Sequence, residues 1–170
     1  DESVVQAIRA VRAAGKAAVF YPFILMEQLA GNRRPDPWSG AADQPVMPWR
    51  GRITSSVAAG RDGSPDGTAA ADAEVAAFFG TAAPGDFRVE GGRVVYGGPD
   101  EWSYRRFILH YAHLCKVAGG VDAFLIGSEM PGLTTIRSSA RVNGSSSRMV
   151  VPRWRAVSTA TPPPSRSTAM

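Results

Sequence analysis

The stretch from Val121 to Leu133, VDAFLIGSEMPGL, decides the fold prediction. Its first part, Val121 to Ile126, is almost continuously apolar, and Gly-Ser-Glu follows up to Glu129. A short apolar run bounded by glycines is typical of a strand that is buried on both faces. In α/β barrels the residues that do chemistry lie at the carboxyl ends of such strands. We therefore predict a barrel-type strand that displays Glu129 at its exit, before Pro-Gly stops regular structure.

A second strand is predicted upstream, at Lys16–Leu25 (KAAVFYPFIL), after a first helix capped by Ser3. Helices that alternate with apolar strands indicate a parallel sheet. Pro22 should end or bend this strand, because proline lacks the backbone N–H that donates hydrogen bonds in a sheet. Glu27 follows the strand, so we expect it to face the same rim as Glu129.

Three further elements are predicted between these strands. Thr68–Phe79 has the cap and the alanine-rich turns of a helix, and Phe87–Tyr96 is predicted as a hairpin around its two glycines. Pro99–Gly119 has the longest apolar stripe at helical spacing, with Glu101 and Arg105 as an i,i+4 ion pair.

Residues 30–67 show no periodicity and contain five prolines, together with Trp38 and Trp49. A loop of this length inside a compact domain is usually functional or an insertion. The two tryptophans could stack on sugar rings, as substrate-binding residues. The alternative is that each of them packs the loop onto the rim of the domain.

Composition excludes several classes of protein and site. The 170 residues suffice for one domain but not for a complete eight-fold barrel, which needs about 200 to 250 residues. Cys115 is the lone cysteine, which excludes a disulfide framework and a cysteine metal site. No apolar run approaches the roughly 20 residues of a membrane-spanning helix. No leader is visible, and the start at Asp1 suggests a piece of a larger protein.

Residues 137–170 differ from residues 1–136 in composition. They contain six arginines, many serines and prolines, and no acidic residue. Without them the chain has 13 basic and 15 acidic residues, so a basic surface for nucleic acid is not expected. We expect residues 137–170 to be an irregular, disordered tail or the product of a shifted reading frame, and the alternative is an evolved basic tail.

Glu129 is the leading candidate for catalysis. Glycoside hydrolysis generally uses two carboxylates, one of which donates a proton to the leaving oxygen. An apolar wall around Glu129 would suit that role near neutral pH. The alternative is a solvated or capping carboxylate. The chain has no phosphate loop and no dinucleotide fingerprint, so no cofactor is expected.

His110 and His113 lie one turn apart, but further metal ligands are not evident in the sequence. We expect an exposed helix face there and no metal site.

Segments spread over the chain carry a family resemblance. They are YPFILM (21–26), AGN (30–32), PWRGRIT (48–54), AFFG (77–80), GP (98–99), EWSYRRF (101–107), LHYA (109–112), residues 119–129 and GLT (132–134). In this order they resemble the TIM-barrel-like, glycoside-hydrolase-like domain of gene transfer agent and phage tail proteins. The resemblance covers roughly residues 4–136 and does not include the tail.

The resemblance implies a position in the barrel for each predicted strand. Lys16–Leu25 and Val121–Gly127 would be neighbouring strands three and four of the barrel. The Gly-Ser-Glu at 127–129 looks like the Gly-Asn-Glu that ends the fourth strand of many retaining glycosidases, where the glutamate is the acid/base. Ser128 replaces the asparagine that helps hold the sugar 2-hydroxyl. The second carboxylate would come from a later strand, beyond this chain.

We therefore predict a partial (β/α)8 TIM barrel of about two βα units in residues 1–136, with a long loop insertion and an irregular tail. The resemblance implies a tail-tip protein of a phage-like particle, made in the bacterial cytoplasm, that acts on host cell-surface polysaccharide and contacts other tail or baseplate proteins. Its activity would be retaining glycoside hydrolysis, while this fragment alone is expected to be inactive and marginally stable. The alternative is a non-catalytic structural or glycan-binding tail module. Neither nucleic-acid binding nor membrane insertion is expected.

Overall fold

The structure is a computed structural model, and it describes residues 1–142 and 145–148. Its helices are α1 (Glu2–Ala13), α2 (Ala69–Phe79), α3 (Tyr104–Val117) and α4 (Pro131–Thr134). Its strands are β1 (Val19–Phe20), β2 (Phe87–Glu90), β3 (Arg93–Tyr96), β4 (Ala123–Phe124), β5 (Arg137–Val142) and β6 (Ser145–Arg148). Short 3-10 helices lie at Arg50–Arg52 and Pro84–Asp86. None of the described helices combines the length and the apolar character that crossing a bilayer requires.

The described strands form three separate sheets of two strands each, and none of these sheets is closed. β1 and β4 pair in parallel, with Val19 opposite Ala123 and Phe20 opposite Phe124. The other two pairs, β2–β3 and β5–β6, are antiparallel. The predicted parallel neighbours are therefore present, whereas the partial barrel around them stays a prediction.

Both parallel strands are shorter and more exposed than the sequence predicts. The expected strands at Lys16–Leu25 and Val121–Gly127 contract to two paired residues each. Leu125 keeps 48% of its surface exposed and Val19 keeps 61%, so these strands are not buried on both faces. The reason is that β1 and β4 pair only with each other within the described residues, which leaves their outer edges open.

The helices α2 and α3 each begin directly after a capping residue. Thr68 caps α2 by accepting a hydrogen bond from the amide of Ala70, and Ser103 caps α3 by accepting one from the amide of Arg106. Because Ser103 is the cap, α3 begins at Tyr104 and not at Pro99. Glu101 therefore lies outside the helix, and the predicted i,i+4 geometry with Arg105 is wrong.

Helix boundaries differ from the prediction at two other places. α1 is capped at Asp1 instead of Ser3. Pro131 and Gly132, which were expected to stop regular structure, instead begin the short helix α4, since proline is well suited to the first helical position.

The core is built around α3. Phe79 of α2 and Leu133 of α4 pack with Tyr104 and Ile108 in one cluster, which Ile136 completes. A second cluster joins α1 to the end of α3; it contains Val5, Ile8, Ala18, Leu114, Cys115 and Ala118. The long helix thus supports both the loop before β1 and the approach to β4.

The loop of residues 30–67 is ordered by bonds between side chains and backbone. The Asn32 side chain donates to the carbonyls of Leu29 and Gln44 and accepts from the amides of Arg34 and Gln44. The amide of Met47 donates to the carbonyl of Gln28, which joins the middle of the loop to the residues just before it. The loop therefore has a fixed shape with little regular structure.

The first residues of the expected tail are part of a folded hairpin. The backbone amide and side chain of Arg137 donate to Asp66, at 2.5 and 2.7 Å, and the amide of Ser139 donates to Asp72 at 3.1 Å. These contacts attach β5 to the start of α2, so the irregular structure expected from residue 137 is not present in β5 and β6. Residues 143–144 and 149–170 of the expected tail lie outside the described residues.

Candidate functional site at the exit of β4

Glu129 lies five residues after the end of β4, in a backbone conformation that few side chains adopt. Its φ is +57°, which places it with Arg33 and Met47 as a residue other than glycine at positive φ. That conformation costs roughly 1 kcal/mol for an ordinary residue. Such strain clusters at functional sites, where surrounding contacts hold it in place.

Two residues of the long loop hold the Glu129 carboxylate. Arg50 donates through Nη2 to Oε2 at 2.5 Å, and the indole N–H of Trp49 donates to the same oxygen at 3.3 Å. The Arg50 guanidinium lies 4.6 Å from the centre of the Phe23 ring, and its side chain is only 16% exposed. Trp49 and Glu129, both predicted from the sequence, are therefore brought together by the structure.

The surroundings of Glu129 differ from the apolar wall that was expected. The side chain is 54% exposed, and its nearest partner is a cation. The ion pair with Arg50 thus takes the place of the expected apolar wall.

Ser128 joins the exits of the two parallel strands. Its hydroxyl shares a hydrogen bond with the hydroxyl of Tyr21, the residue that follows β1. Because β1 and β4 are parallel, their carboxyl ends lie side by side, and this bond fixes one against the other. Ser128 is thus placed next to Glu129, with its hydroxyl engaged by the protein.

Tyr104 fixes the backbone just before Glu129 from the core side. Its hydroxyl donates to the carbonyl of Ile126 at 2.5 Å. A Cβ on Gly127 would lie 2.7 Å from the same hydroxyl, so only glycine fits at that position. Burial, together with the nearby Tyr21, raises the pKa of Tyr104 to about 12, although Arg50 acts in the opposite direction. The hydroxyl therefore stays a donor at any physiological pH.

Trp38 and Glu27 do not join this site. The Trp38 indole N–H donates to the carbonyl of Arg52 at 2.8 Å, and its ring lines a cavity of about 170 Å³ inside the long loop. Glu27 is exposed, and none of the hydrogen bonds or ion pairs among the described residues involves it.

A buried ion pair lies beside Trp38. Asp36 is 5% exposed and accepts two bonds from Nη2 of Arg52, at 2.8 and 2.9 Å. Burial alone would raise the pKa of Asp36, but the hydrogen bonds from Ser39, the Trp38 amide and Arg52 outweigh it, so the pKa falls below its usual value. Asp36 is therefore ionised and neutralises Arg52.

The two histidines have structural contacts. His110 bonds to the carboxylate of Asp1 at 3.0 Å, and His113 bonds to the carbonyl of Leu109 and stacks on Phe87. Burial, the N-terminal amine and Arg106 lower the pKa of His110. Within residues 1–142 and 145–148 there is no group of three or more histidine, cysteine, aspartate or glutamate side chains that could hold a metal ion.

Sequence reasoning missed three residues of this site. Arg50, Tyr21 and Tyr104 all contact the backbone or side chains of residues 126–129. Arg50 could have been suggested by its position next to Trp49. Tyr104 was assigned to the apolar stripe of α3, and nothing in that pattern distinguishes a core tyrosine from one that also supports a site.

The part of the sequence that contains Glu129 matches a known protein family. Residues 102–159 match the family described as the GTA TIM-barrel-like domain. The predicted resemblance to this family is thereby confirmed from residue 102 onward, whereas the expectation that it excludes the tail is wrong, because the match continues to residue 159. The matched range, about a third of the chain, contains α3, β4 and Glu129 and extends into residues 137–159. No curated protein and no solved structure was found to match the chain. The match to the GTA TIM-barrel-like domain indicates a gene transfer agent-related protein and a component of a phage-like particle.

Proposed function

We propose that this chain is part of a tail-tip protein of a gene transfer agent, and that its barrel-like domain acts on host cell-surface polysaccharide. The supporting observation is the position of Glu129, which follows a strand of a parallel pair and lies against the indole of Trp49. An exposed aromatic face beside a carboxylate suits a sugar ring next to a proton donor or acceptor. Trp49 is 54% exposed, so its ring is open to such a ligand.

In this proposal Glu129 is the general acid/base of a retaining glycoside hydrolase. Retention requires a second carboxylate roughly 5 to 5.5 Å from the first, acting as the nucleophile. That carboxylate would be supplied by a later strand of the barrel in the full-length protein. Ser128 and Tyr21 would hold the strand exits, and a substrate that displaces Arg50 would leave Glu129 free to transfer a proton.

A second function is supported by the ion pair itself. The Arg50–Glu129 contact is short, and the hydroxyl of Ser128 is already bonded to Tyr21. A site whose polar groups satisfy one another can bind a glycan through Trp49 without cleaving it. The alternative function is therefore a non-catalytic, glycan-binding tail or baseplate module, with other tail proteins as its neighbours.

The test compares the full-length gene product with its E129Q variant. Release of reducing sugar from purified host polysaccharide should be detectable for the wild type and lost in E129Q, since glutamine cannot transfer the proton. E27Q is the matched control, because Glu27 is exposed and does not join the site, and it should keep the activity of the wild type. If the wild type binds the polysaccharide but releases no reducing sugar, hydrolysis is wrong and the binding module is supported.

A further inference from the structure

The cavity inside the long loop lies apart from Glu129. It has a volume of about 170 Å³, and Trp38, Pro37, Pro45 and Pro48 form much of its apolar wall. Pockets for drug-sized ligands usually measure roughly 300 to 1,000 Å³, so this smaller cavity suits a ligand of about one ring.

The polar groups of this cavity carry no net charge. Arg52 lines it, but its charge is neutralised by the buried carboxylate of Asp36. Gln44 and Thr54 also line the cavity. The Gln44 side chain donates to the carbonyl of Pro35 at 3.4 Å and the Thr54 hydroxyl donates to the carbonyl of Gly132 at 3.3 Å. Each side chain keeps an oxygen that can accept a hydrogen bond, and Gln44 keeps a second N–H donor. An anionic ligand would find no unpaired cation there, whereas a neutral, hydroxyl-rich ligand would find partners.

The cavity is formed before any ligand arrives. Asn32 bonds to the backbone of Gln44 in both directions, at 2.9 and 3.1 Å, and fixes the wall that carries that side chain. The Trp38 ring is fixed by its bond to the Arg52 carbonyl. A preformed site spares the ligand the cost of ordering the loop.

We infer that this cavity binds a single neutral pyranose ring, as a glycan-binding site separate from Glu129. The ring's C–H face would lie on the apolar wall of Trp38 and the prolines, and its hydroxyls would reach Gln44 and Thr54. The inference depends on the proposed function in one respect: the proposed function identifies the host polysaccharide to which the bound ring would belong. Binding here does not require any chemistry at Glu129.

The experiment measures the binding of free sugars to the 170-residue chain. Saturation-transfer NMR with glucose, galactose and N-acetylglucosamine reports which ring protons touch the protein, and a titration gives the Kd. At least one of these sugars should bind in the millimolar range, with the strongest transfer to protons of one ring face. A neutral sugar should bind better than glucuronic acid, its anionic counterpart.

Two variants locate the binding. W38A should abolish it, because the stacking surface is gone. Q44A should weaken it roughly five- to tenfold, the worth of one hydrogen bond. The bonds between Asn32 and position 44 use the backbone of Gln44, so Q44A keeps them even where W38A fails to fold. The variant also removes the long bond, 3.4 Å, from the Gln44 side chain to the carbonyl of Pro35. W102A is the matched control, because Trp102 is 92% exposed and does not line the cavity, and it should bind like the wild type. E129Q tests the competing location of the bound sugar, at Glu129.

Each outcome decides the inference. Weaker binding by Q44A together with unchanged binding by W102A supports it, whether or not the full-length protein hydrolyses anything. Loss in E129Q would place the sugar at Glu129 and overturn it. Absence of binding of all three sugars to the wild type, or displacement of a bound sugar by glucuronic acid but not by a second neutral sugar, would overturn it as well. So would binding of a proline-rich peptide in place of sugars.

Discussion

The helical core around α3 and the parallel sheet of β1 and β4 lie side by side, but they differ in how well their apolar side chains are buried. In the core, Ile108, Leu114 and Ile136 are at most 2% exposed. In the sheet and directly after β4, Val19, Leu125 and Ile126 remain exposed although they are large and apolar. The core is held by packing, while the exits of β1 and β4 are held by a few polar bonds. The candidate site is therefore built on the less supported part of the molecule.

The strongest test of this comparison removes the same side chain from both regions. L114A should lower the free energy of unfolding by about 2 to 5 kcal/mol, because Leu114 is 1% exposed and fills the junction of α1 and α3. L125A, directly after β4, is the matched control and should cost much less, since Leu125 is already 48% exposed.

Urea unfolding followed by far-ultraviolet circular dichroism measures both values. Equal losses in the two variants would show that the sheet is as well packed as the core. A wild type without a cooperative transition would instead support the marginal stability expected from the open strand edges.

A second test addresses the bond that connects the regions. Y104F removes only the hydroxyl that donates to the carbonyl of Ile126, so we expect a loss of about 1 kcal/mol. Y111F is the control, because no hydrogen bond of that hydroxyl is formed among the described residues and its ring contacts with Phe20 and Phe107 are kept.

Amide hydrogen exchange gives the informative readout for Y104F. The amide of Leu125, next to Ile126, donates to the carbonyl of Phe20 at 3.0 Å, and its exchange should speed up in this variant, while exchange in α2 should change little. Unchanged protection at the β4 exit would contradict the role of Tyr104 in fixing that backbone.

A third and smaller effect concerns pH at the edge of the core. Hydrogen bonds from the Ser103 hydroxyl and from the amides of Ala82 and Thr81 lower the pKa of Glu101 to about 2, from an ordinary value of 4.5. A carboxylate with a lowered folded-state pKa stabilises the fold fully above its unfolded-state pKa. This contribution should decline as the pH falls below about 4.5 and be absent below about 2.

Thermal unfolding between pH 6 and pH 2 tests whether the stabilisation by Glu101 declines as the pH falls. E101Q should melt at a lower temperature than the wild type at pH 6, and the difference should shrink as the pH falls. Since Glu101 is reached by water, the change should be smaller than that of L114A. A difference that stays constant with pH would show that Glu101 acts through its shape and not through its charge.

The elements that local chemistry determines were predictable. α2 lies within one residue of its prediction because Thr68 and Gly80 mark both ends, and the hairpin of β2 and β3 matches its prediction in full. α3 was predicted to begin too early, since Pro99 and Ser103 are both plausible starts and only the bond from the Arg106 amide to Ser103 decides between them.

The candidate site was predictable only in part, because its contacts are distant in sequence. Glu129 is identified by its place after an apolar run, but its partner Arg50 lies 79 residues away. The two tryptophans look alike in sequence, and the structure places Trp49 on Glu129 and Trp38 in a separate cavity. Loop paths of this kind follow from bonds such as those of Asn32, which no local pattern reveals.

The close approach of Tyr104 to Gly127 has a consequence for how this family can vary. A Cβ at position 127 and a hydroxyl at position 104 would occupy the same space, since the distance between them would be 2.7 Å. A larger residue at 127 therefore becomes acceptable only after Tyr104 is replaced by a smaller side chain, whereas Tyr104 itself can be shortened while Gly127 stays. The residue that position 127 can accept is thus set by a side chain of the core.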